Sequence, residues 1–181
     1  LNYLVTVDDG DATDQTTVEI NITGTNDKPT ISGGPVSKTI QESAGVDATG
    51  IPLFESGTFS VEDLDLSNTV TAHSSFIDAT GAIANPEIAL ALNGVDFDSF
   101  FDVVPDTVIT PGSTSANLDW TFDSLGTTFE FLAVGETLTL NYLVTVDDGD
   151  ATDQTTVEIN ITGTNDKPTI SGGPVSKTIQ E

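Results

Sequence analysis

The chain lacks several residue types, and each absence narrows what the protein can do. Its 181 residues include no cysteine, no methionine and no arginine, with four lysines as the only strongly basic residues. Without cysteine the chain can form neither disulfides nor a soft-metal site. The formal charge of −25 repels nucleic acid and anionic membranes, so we predict no nucleic-acid partner.

Long hydrophobic runs are also missing. Hydrophobic residues make up 36% of the chain and occur in short stretches, which is typical of a folded protein and excludes insertion into a membrane.

Catalytic motifs are equally scarce. The single histidine, His73, lies in a strand-like run, and the chain has no Gly-x-Ser-x-Gly motif. The sequence therefore predicts a protein that is not an enzyme.

Acidic residues are abundant, with 29 aspartates and glutamates against the four lysines. One interpretation is a solubilising, salt-adapted surface. The other is a set of divalent-cation sites, because Ca²⁺ prefers carboxylate and carbonyl oxygens and neutralises carboxylates that would otherwise repel one another. Which interpretation applies depends on where the acidic residues lie.

The chain contains a perfect internal repeat. Residues Leu1 to Glu42 recur without a change as Leu140 to Glu181, 139 residues later. Such a repeat indicates a tandem array whose partners are neighbouring units of the same chain. Residues 1–28 are predicted to be the final hairpin and linker of a preceding unit, and 29–166 one complete unit. Residues 167–181 are predicted to be the linker end and first strand of a following unit.

Period-two alternation of apolar and polar residues dominates the unit. It is clearest in Leu138 to Val146 and in Val157 to Ile161, which flank an Asp-Asp-Gly-Asp turn and predict a long hairpin. Seven to nine such strands predict an all-β sandwich of the immunoglobulin-like, Greek-key type. Trp120 and the phenylalanines are its expected core, with a strand at Phe129 to Phe131 and one short helix within Leu125 to Glu136.

The acidic residues fall in loops that this topology should gather at the ends of the sandwich. Loops that follow alternate strands meet at the same end, beside the linker from the preceding unit. Together they offer the six to eight oxygen ligands typical of Ca²⁺. The predicted ligands at this end are Asn26, Asp27, Glu62, Asp63, Asp65, Asp147, Asp148 and Asp150.

A second site is predicted at the opposite end. Glu42 follows the first strand of the unit and should lie near Asn165 and Asp166 in the second linker, where a following unit would complete the shell. The acidic run Asp96, Asp98 and Asp102 has two interpretations, another cation site or the solvated outer face of a strand.

The sequence resembles the VCBS-type repeats of bacterial RTX adhesins and, more distantly, cadherin repeats. The resemblance rests on three segments. They are Leu132 to Gly149, the closing Gly163-Thr164-Asn165-Asp166-Lys167-Pro168, and the early Ser60 to Asp65. It implies a cadherin-like extender repeat in which Asn26, Asp27, Asp63, Asp65 and Asp147 hold positions that bind calcium between domains.

The resemblance also implies a location and a role. It implies a large adhesin at the surface of a bacterium, outside the cell, in which calcium-bound units are spacers and other domains bind the ligand. A calcium-dependent carbohydrate- or receptor-binding module is the alternative function. An exposed Trp120 beside a calcium ion would favour that alternative.

Overall fold

The computed structural model describes residues 1–42, 52–168, 170, 172–173 and 176–179. These residues form eleven strands, one α-helix and two short 3-10 helices. The strands are β1 (Asn2–Asp8), β2 (Thr13–Glu19), β3 (Thr30–Ser32), β4 (Val36–Gln41), β5 (Phe54–Glu62), β6 (Val70–Gly81), β7 (Phe101–Val104), β8 (Thr107–Ile109), β9 (Ser115–Asp123), β10 (Thr137–Asp147) and β11 (Thr152–Thr162). The helices are α1 (Pro86–Ala91) and the 3-10 turns Ala82–Ala84 and Phe97–Phe100.

Nine of these strands, β3 to β11, form two packed sheets. One sheet has the order β4-β11-β10-β6-β8 and the other β3-β5-β9-β7. Residues 30–41 supply one strand to each sheet. Strand β3 pairs antiparallel with β5 in the four-stranded sheet, and β4 pairs parallel with β11 in the five-stranded sheet. This is the arrangement of an immunoglobulin-like sandwich, and it confirms the predicted fold class. The nine strands lie inside the predicted unit 29–166, although its boundaries stay a prediction.

The alternation of the long strands places their apolar residues in the core between the sheets. In β10 and β11, Leu138, Leu140, Val157, Ile159 and Ile161 are fully buried. Trp120 and Tyr142 are the largest buried side chains, and Phe101 stacks between their rings with centroid distances of 5.6 and 4.7 Å. Gly57 allows this packing, since a Cβ there would lie 2.7 Å from the Trp120 ring. The aromatic residues are therefore mainly packing, as expected.

Two local expectations are wrong. Residues 125–136 contain turns but no helix, and Phe129 to Phe131 is not a strand. Phe129 is nevertheless buried, and its carbonyl accepts a hydrogen bond from Leu132 N at 2.9 Å, so a turn rather than a sheet position directs it inward. The α-helix lies instead at Pro86–Ala91, where the Asn85 side chain caps the amide of Glu87.

The N-terminal hairpin, β1 and β2, stands apart from the sandwich as a two-stranded sheet. It has the same pairing as its copy, because Asn2 pairs with Glu19 as Asn141 pairs with Glu158. Every one of its residues is exposed. The predicted first strand of a following unit lies in 167–181, of which six residues fall outside the described part of the chain. Those described from 176 to 179 are exposed and outside any strand.

Candidate functional site

The linker before the unit is held by acidic loops at one end of the sandwich, which we call the N-terminal junction. Asn26 Nδ2 donates a hydrogen bond to Asp148 Oδ2 at 3.0 Å, and Asn68 Nδ2 donates to Asn26 Oδ1 at the same distance. The amide of Asp27 donates to Asp65 Oδ2 at 2.7 Å. The linker and the two predicted acidic loops therefore meet, although they are far apart in sequence.

Asp63 is the buried residue of this junction. Its side chain is 1% exposed, and its Oδ1 accepts a hydrogen bond from the amide of Asp65 at 2.9 Å. Its Oδ2 is buried with no hydrogen-bond partner. Because a buried carboxylate oxygen without a partner carries a desolvation cost, such an atom requires an explanation, and a bound cation is one.

The turn between β10 and β11 uses its carboxylates partly on its own backbone. Asp147 Oδ1 accepts from Gly149 N at 2.7 Å, and Asp148 Oδ1 accepts from Asp150 N and Ala151 N. Partial burial raises the pKa of Asp148, but these backbone amides and the Asn26 side chain outweigh it, so the pKa is lowered. Asp150 is exposed at the tip of this turn.

The N-terminal junction differs from the predicted ligand shell, because its described carboxylates do not converge on one point. Glu62 lines a groove with Asp27, Lys28 and Asp63, but its own side chain is exposed. The carboxylates here are spaced by amides and backbone groups. Among the described residues they do not form a group of three ligand atoms within 4.8 Å of one another.

An ion pair anchors the same linker on its other side. Lys28 Nζ lies 2.7 Å from Asp153 Oδ1, and Asp153 Oδ2 accepts a hydrogen bond from the amide of Ile31 at 3.0 Å. The hydrogen bond from Lys28, followed by that from Ile31, lowers the pKa of Asp153. Asp153 therefore ties the start of the unit to β11.

Replacing this anchor should weaken the unit. We expect Asp153→Asn to lower the free energy of unfolding by about 1–2 kcal/mol at neutral pH, because it removes the negative charge that strengthens the hydrogen bonds from Lys28 and the Ile31 amide. Since the folded-state pKa is lowered, the difference from the parent chain should vanish as the pH falls through it. Urea unfolding followed by Trp120 fluorescence measures this.

The matched control is Asp14→Asn. Asp14 is the copy of Asp153 in the exposed hairpin, where no lysine contacts it among the described ion pairs. We expect its substitution to change stability by less than about 0.5 kcal/mol. Equal effects of the two substitutions would show that Asp153 does not anchor the linker.

Three carboxylates converge at the opposite end of the unit, which we call the C-terminal junction. One oxygen each of Glu42, Glu130 and Asp166 lies within 4.8 Å of the others, and this is the only such acidic group in the described part of the chain. Glu42 and Asp166 are the predicted pair. Asn165, the third predicted residue, lines the adjoining groove, and its side-chain amide lies 3.5 Å from the carbonyl oxygen of Asp166.

Glu42 is fixed in place by the strand that precedes the second linker. Its amide donates to Thr162 O, and its Oε1 accepts hydrogen bonds from the amide and hydroxyl of Thr164. Gly163, between Thr162 and Thr164, lies against the backbone of Leu132 and Ala133, where a Cβ would clash with both carbonyl oxygens. Glu42 is 2% exposed, and its Oε2 is buried without a hydrogen-bond partner.

The sequence analysis missed Glu130. The alternation at Phe129 to Phe131 predicted a strand and gave Glu130 no role, whereas the turn places Glu130 beside Glu42 and Asp166. Partial burial, and then the negative charges of Glu42 and Asp166, raise the pKa of Glu130. Burial and the two neighbouring charges thus disfavour the charged form of Glu130. The only sequence signal was a glutamate between two apolar residues just after a turn.

Other candidate residues do not form such a site. His73 is exposed on β6. Asp98 lies in a 3-10 turn rather than a strand, and its Oδ1 accepts a hydrogen bond from Phe76 N at 2.7 Å. Trp120 is 1% exposed. None of the helices in the described ranges has the length and apolar character that a membrane crossing demands.

Comparison with known proteins gives only distant likenesses. No family model and no curated protein matches the chain. Solved structures with similar geometry include the periplasmic chaperone SfaE (12% identity, TM-score 0.35, 75% of this chain and 56% of that one). Others are the zebrafish RET cadherin-like domains 1 to 4 (12%, 0.31, 91% and 33%) and AggA, the major subunit of aggregative adherence fimbriae type I of Escherichia coli (14%, 0.32, 80% and 99%).

The chain thus spans about half of the SfaE structure and a third of the RET structure. At these TM-scores the likenesses assign it neither a family nor an activity.

Proposed function

We propose that the chain is a calcium-dependent extender repeat, a spacer that becomes stiff when ions bind at its junctions with neighbouring units. One observation carries the proposal. Each end of the unit buries a carboxylate with one oxygen that has no hydrogen-bond partner, Asp63 Oδ2 at the N-terminal junction and Glu42 Oε2 at the C-terminal junction. An ion at each end would satisfy both.

The donor atoms fit calcium better than a softer metal. Both junctions offer carboxylates, amide oxygens and backbone carbonyls, and the chain has no cysteine. Glu42, Glu130 and Asp166 would hold an ion at the C-terminal junction. Asp63 and Asp65, with the linker residue Asp27, would do so at the N-terminal junction. Bound calcium would supply the positive charge that these carboxylates lack.

The repeated linker connects the two junctions. Asn26 and Asp27 contact the acidic loops of the unit that follows them, while the identical Asn165 and Asp166 lie beside the acidic residues of the unit that precedes them. In a tandem array each linker would therefore have carboxylates of two units around it. Ions shared at such a linker would replace repulsion with a fixed angle between units.

Reach follows from the length of the strands. At about 3.3 Å per residue, the eleven residues of β10 span about 36 Å, so each repeat adds roughly that length. A row of such units suits an adhesin at the bacterial cell surface whose other domains bind the ligand. The buried Trp120 favours this role over a carbohydrate- or receptor-binding module, and we assign no enzymatic activity.

X-ray scattering tests the calcium-dependent stiffness. With calcium, the hairpin and the unit should hold one relative orientation. With EDTA, the linker should become free, because its crowded carboxylates repel, and the distance distribution should broaden with a changed maximum dimension. The same maximum dimension and profile in both buffers would contradict the proposal.

A matched pair of variants locates the effect. Asp63→Asn with Asp65→Asn removes two charges at the N-terminal junction and should abolish the response to calcium. Asp9→Asn with Asp11→Asn removes two charges from the hairpin turn, which lies away from the linker contacts, and should preserve that response.

A further inference from the structure

Three steps in the chain join an aspartate or an asparagine to a glycine, and they are Asp9-Gly10, Asn93-Gly94 and Asp148-Gly149. Glycine has no side chain to shield its amide nitrogen, which can therefore attack the side-chain carbonyl carbon of the residue before it and close a succinimide ring. The structure distinguishes the three steps, because it shows which glycine amides and which side chains are already held by hydrogen bonds.

Hydrogen bonds hold both Asp-Gly steps, on the nitrogen and on the carboxylate. Gly149 N donates to Asp147 Oδ1 at 2.7 Å, so the attacking atom is occupied. Asp148 Oδ1, on the group that would be attacked, accepts from Asp150 N at 2.8 Å and from Ala151 N at 2.7 Å. The copy of this turn in the N-terminal hairpin has the same three hydrogen bonds. Aspartate is also ionised at neutral pH, and a carboxylate is a poor electrophile.

The step Asn93-Gly94 lacks these restraints. It lies in an exposed turn shortly after α1. Within the described ranges of the chain, no hydrogen bond involves Gly94 N or the Asn93 side chain. Gly94 has a φ of +86°, and no described heavy atom beyond its chain neighbours lies within 4 Å of the place that a Cβ would take. The uncharged carboxamide and the glycine nitrogen therefore both remain available for ring closure.

We propose that Asn93 is a site of spontaneous modification, at which the chain slowly converts its asparagine to isoaspartate and aspartate. The nitrogen of Gly94 gives up its proton and bonds to Asn93 Cγ, and the bond from Cγ to Nδ2 breaks and releases ammonia. Water then opens the succinimide. Opening at Cγ gives aspartate, and opening at the main-chain carbonyl carbon gives isoaspartate. In sum, a carboxamide and water become a carboxylate and ammonium, so nothing is oxidised or reduced.

Isoaspartate changes the main chain as well as the charge. It adds a carboxylate and lengthens the backbone by a methylene group between Leu92 and Gly94. Across this point Leu92 O accepts a hydrogen bond from Val95 N at 3.1 Å, and Leu92 is 4% exposed. The product should therefore weaken the turn that leads from α1 to the 3-10 turn Phe97–Phe100. Because the amide is not regenerated, this change accumulates with the age of the chain.

Peptide mapping of the whole chain tests the proposal. The protein is incubated at mildly alkaline pH in EDTA, either folded or in urea, and mass spectrometry measures the isoaspartate formed at Asn93 and at Asp148 over time. We expect folding to slow this reaction several-fold at Asp148 and to leave its rate at Asn93 nearly unchanged. Each step is compared with itself, so the different intrinsic rates of Asn-Gly and Asp-Gly steps do not affect the result.

Asn93→Gln is the matched control, because the longer side chain would have to close a larger ring. The parent chain should accumulate an acidic form that ion exchange resolves, and Asn93→Gln should lose most of that form. Protection of Asn93 by folding as strong as that of Asp148 would overturn the proposal, and so would an acidic form that appears equally in Asn93→Gln. Because both incubations contain EDTA, failure here is distinct from failure of the extender function.

Discussion

Tyr142→Ala is expected to lower the free energy of unfolding by about 3–5 kcal/mol, the usual cost of removing a large aromatic side chain from a core. Tyr142 is fully buried, stacks on Phe101 at 4.7 Å and meets Phe76 edge-on at 5.6 Å. Its hydroxyl donates a hydrogen bond to Phe97 O at 3.1 Å. Urea unfolding, followed by the fluorescence of the single tryptophan, measures the loss.

The repeat supplies the control for this substitution. Tyr3 lies in the same sequence context as Tyr142 but is 52% exposed, so Tyr3→Ala should change stability by less than about 0.5 kcal/mol at low protein concentration. If Tyr142→Ala fails to fold, Tyr142→Phe remains informative, because it should cost only about 1 kcal/mol for the lost hydrogen bond. Similar losses for both alanine variants would mean that the hairpin is as well packed as the unit.

The buried Tyr142 and the exposed Tyr3 show that the local sequence does not by itself determine burial. The alternation of Tyr142, Val144 and Val146 predicts which face of the strand is apolar, and the structure buries that face. The identical alternation in Tyr3, Val5 and Val7 leads to exposed residues. A local pattern thus specifies the strand and its two faces, while burial depends on partners far away in the sequence.

The fold could be predicted because a local pattern specifies each strand and its two faces. Long strands with one apolar face, separated by glycine- and aspartate-containing turns, leave few alternatives to a sandwich. The segments whose structure the sequence did not predict are short. Helix α1 has six residues and buries only Ile88, so it offers no periodic pattern, although Asn85 and Pro86 form a recognisable helix start.

Only part of each candidate site could be predicted from the sequence. Loops at the same end of a sandwich must lie close together, which is why Asn26 could be placed near the loops of Asp65 and Asp148. Glu130 could not be placed in this way. Its position depends on a turn in which the Phe129 carbonyl accepts from Leu132, and alternation of side chains does not predict such a turn.

Calcium should have the second large effect on stability, and Glu42→Gln should remove the part of that effect that comes from the C-terminal junction. At free calcium 100 times the dissociation constant, an ion that binds only the folded state adds about 2.7 kcal/mol and raises the melting midpoint by roughly 5–10 °C. The parent chain is expected to show this rise relative to EDTA. Glu42→Gln should lose the part of it that the C-terminal junction contributes, because it removes the carboxylate whose Oε2 is buried without a hydrogen-bond partner.

The same substitution should help the protein when calcium is absent. A glutamine at position 42 can still accept the hydrogen bonds from Thr164, and its amide can donate to Glu130 or Asp166, so one charge leaves a group of three. The parent should therefore be the more stable protein in calcium and the less stable in EDTA, whereas Glu19→Gln on the exposed hairpin should change neither. A loss of stability that is equal in both buffers would identify Glu42 as a purely structural residue, since only a role in binding a cation makes the order of stabilities depend on calcium.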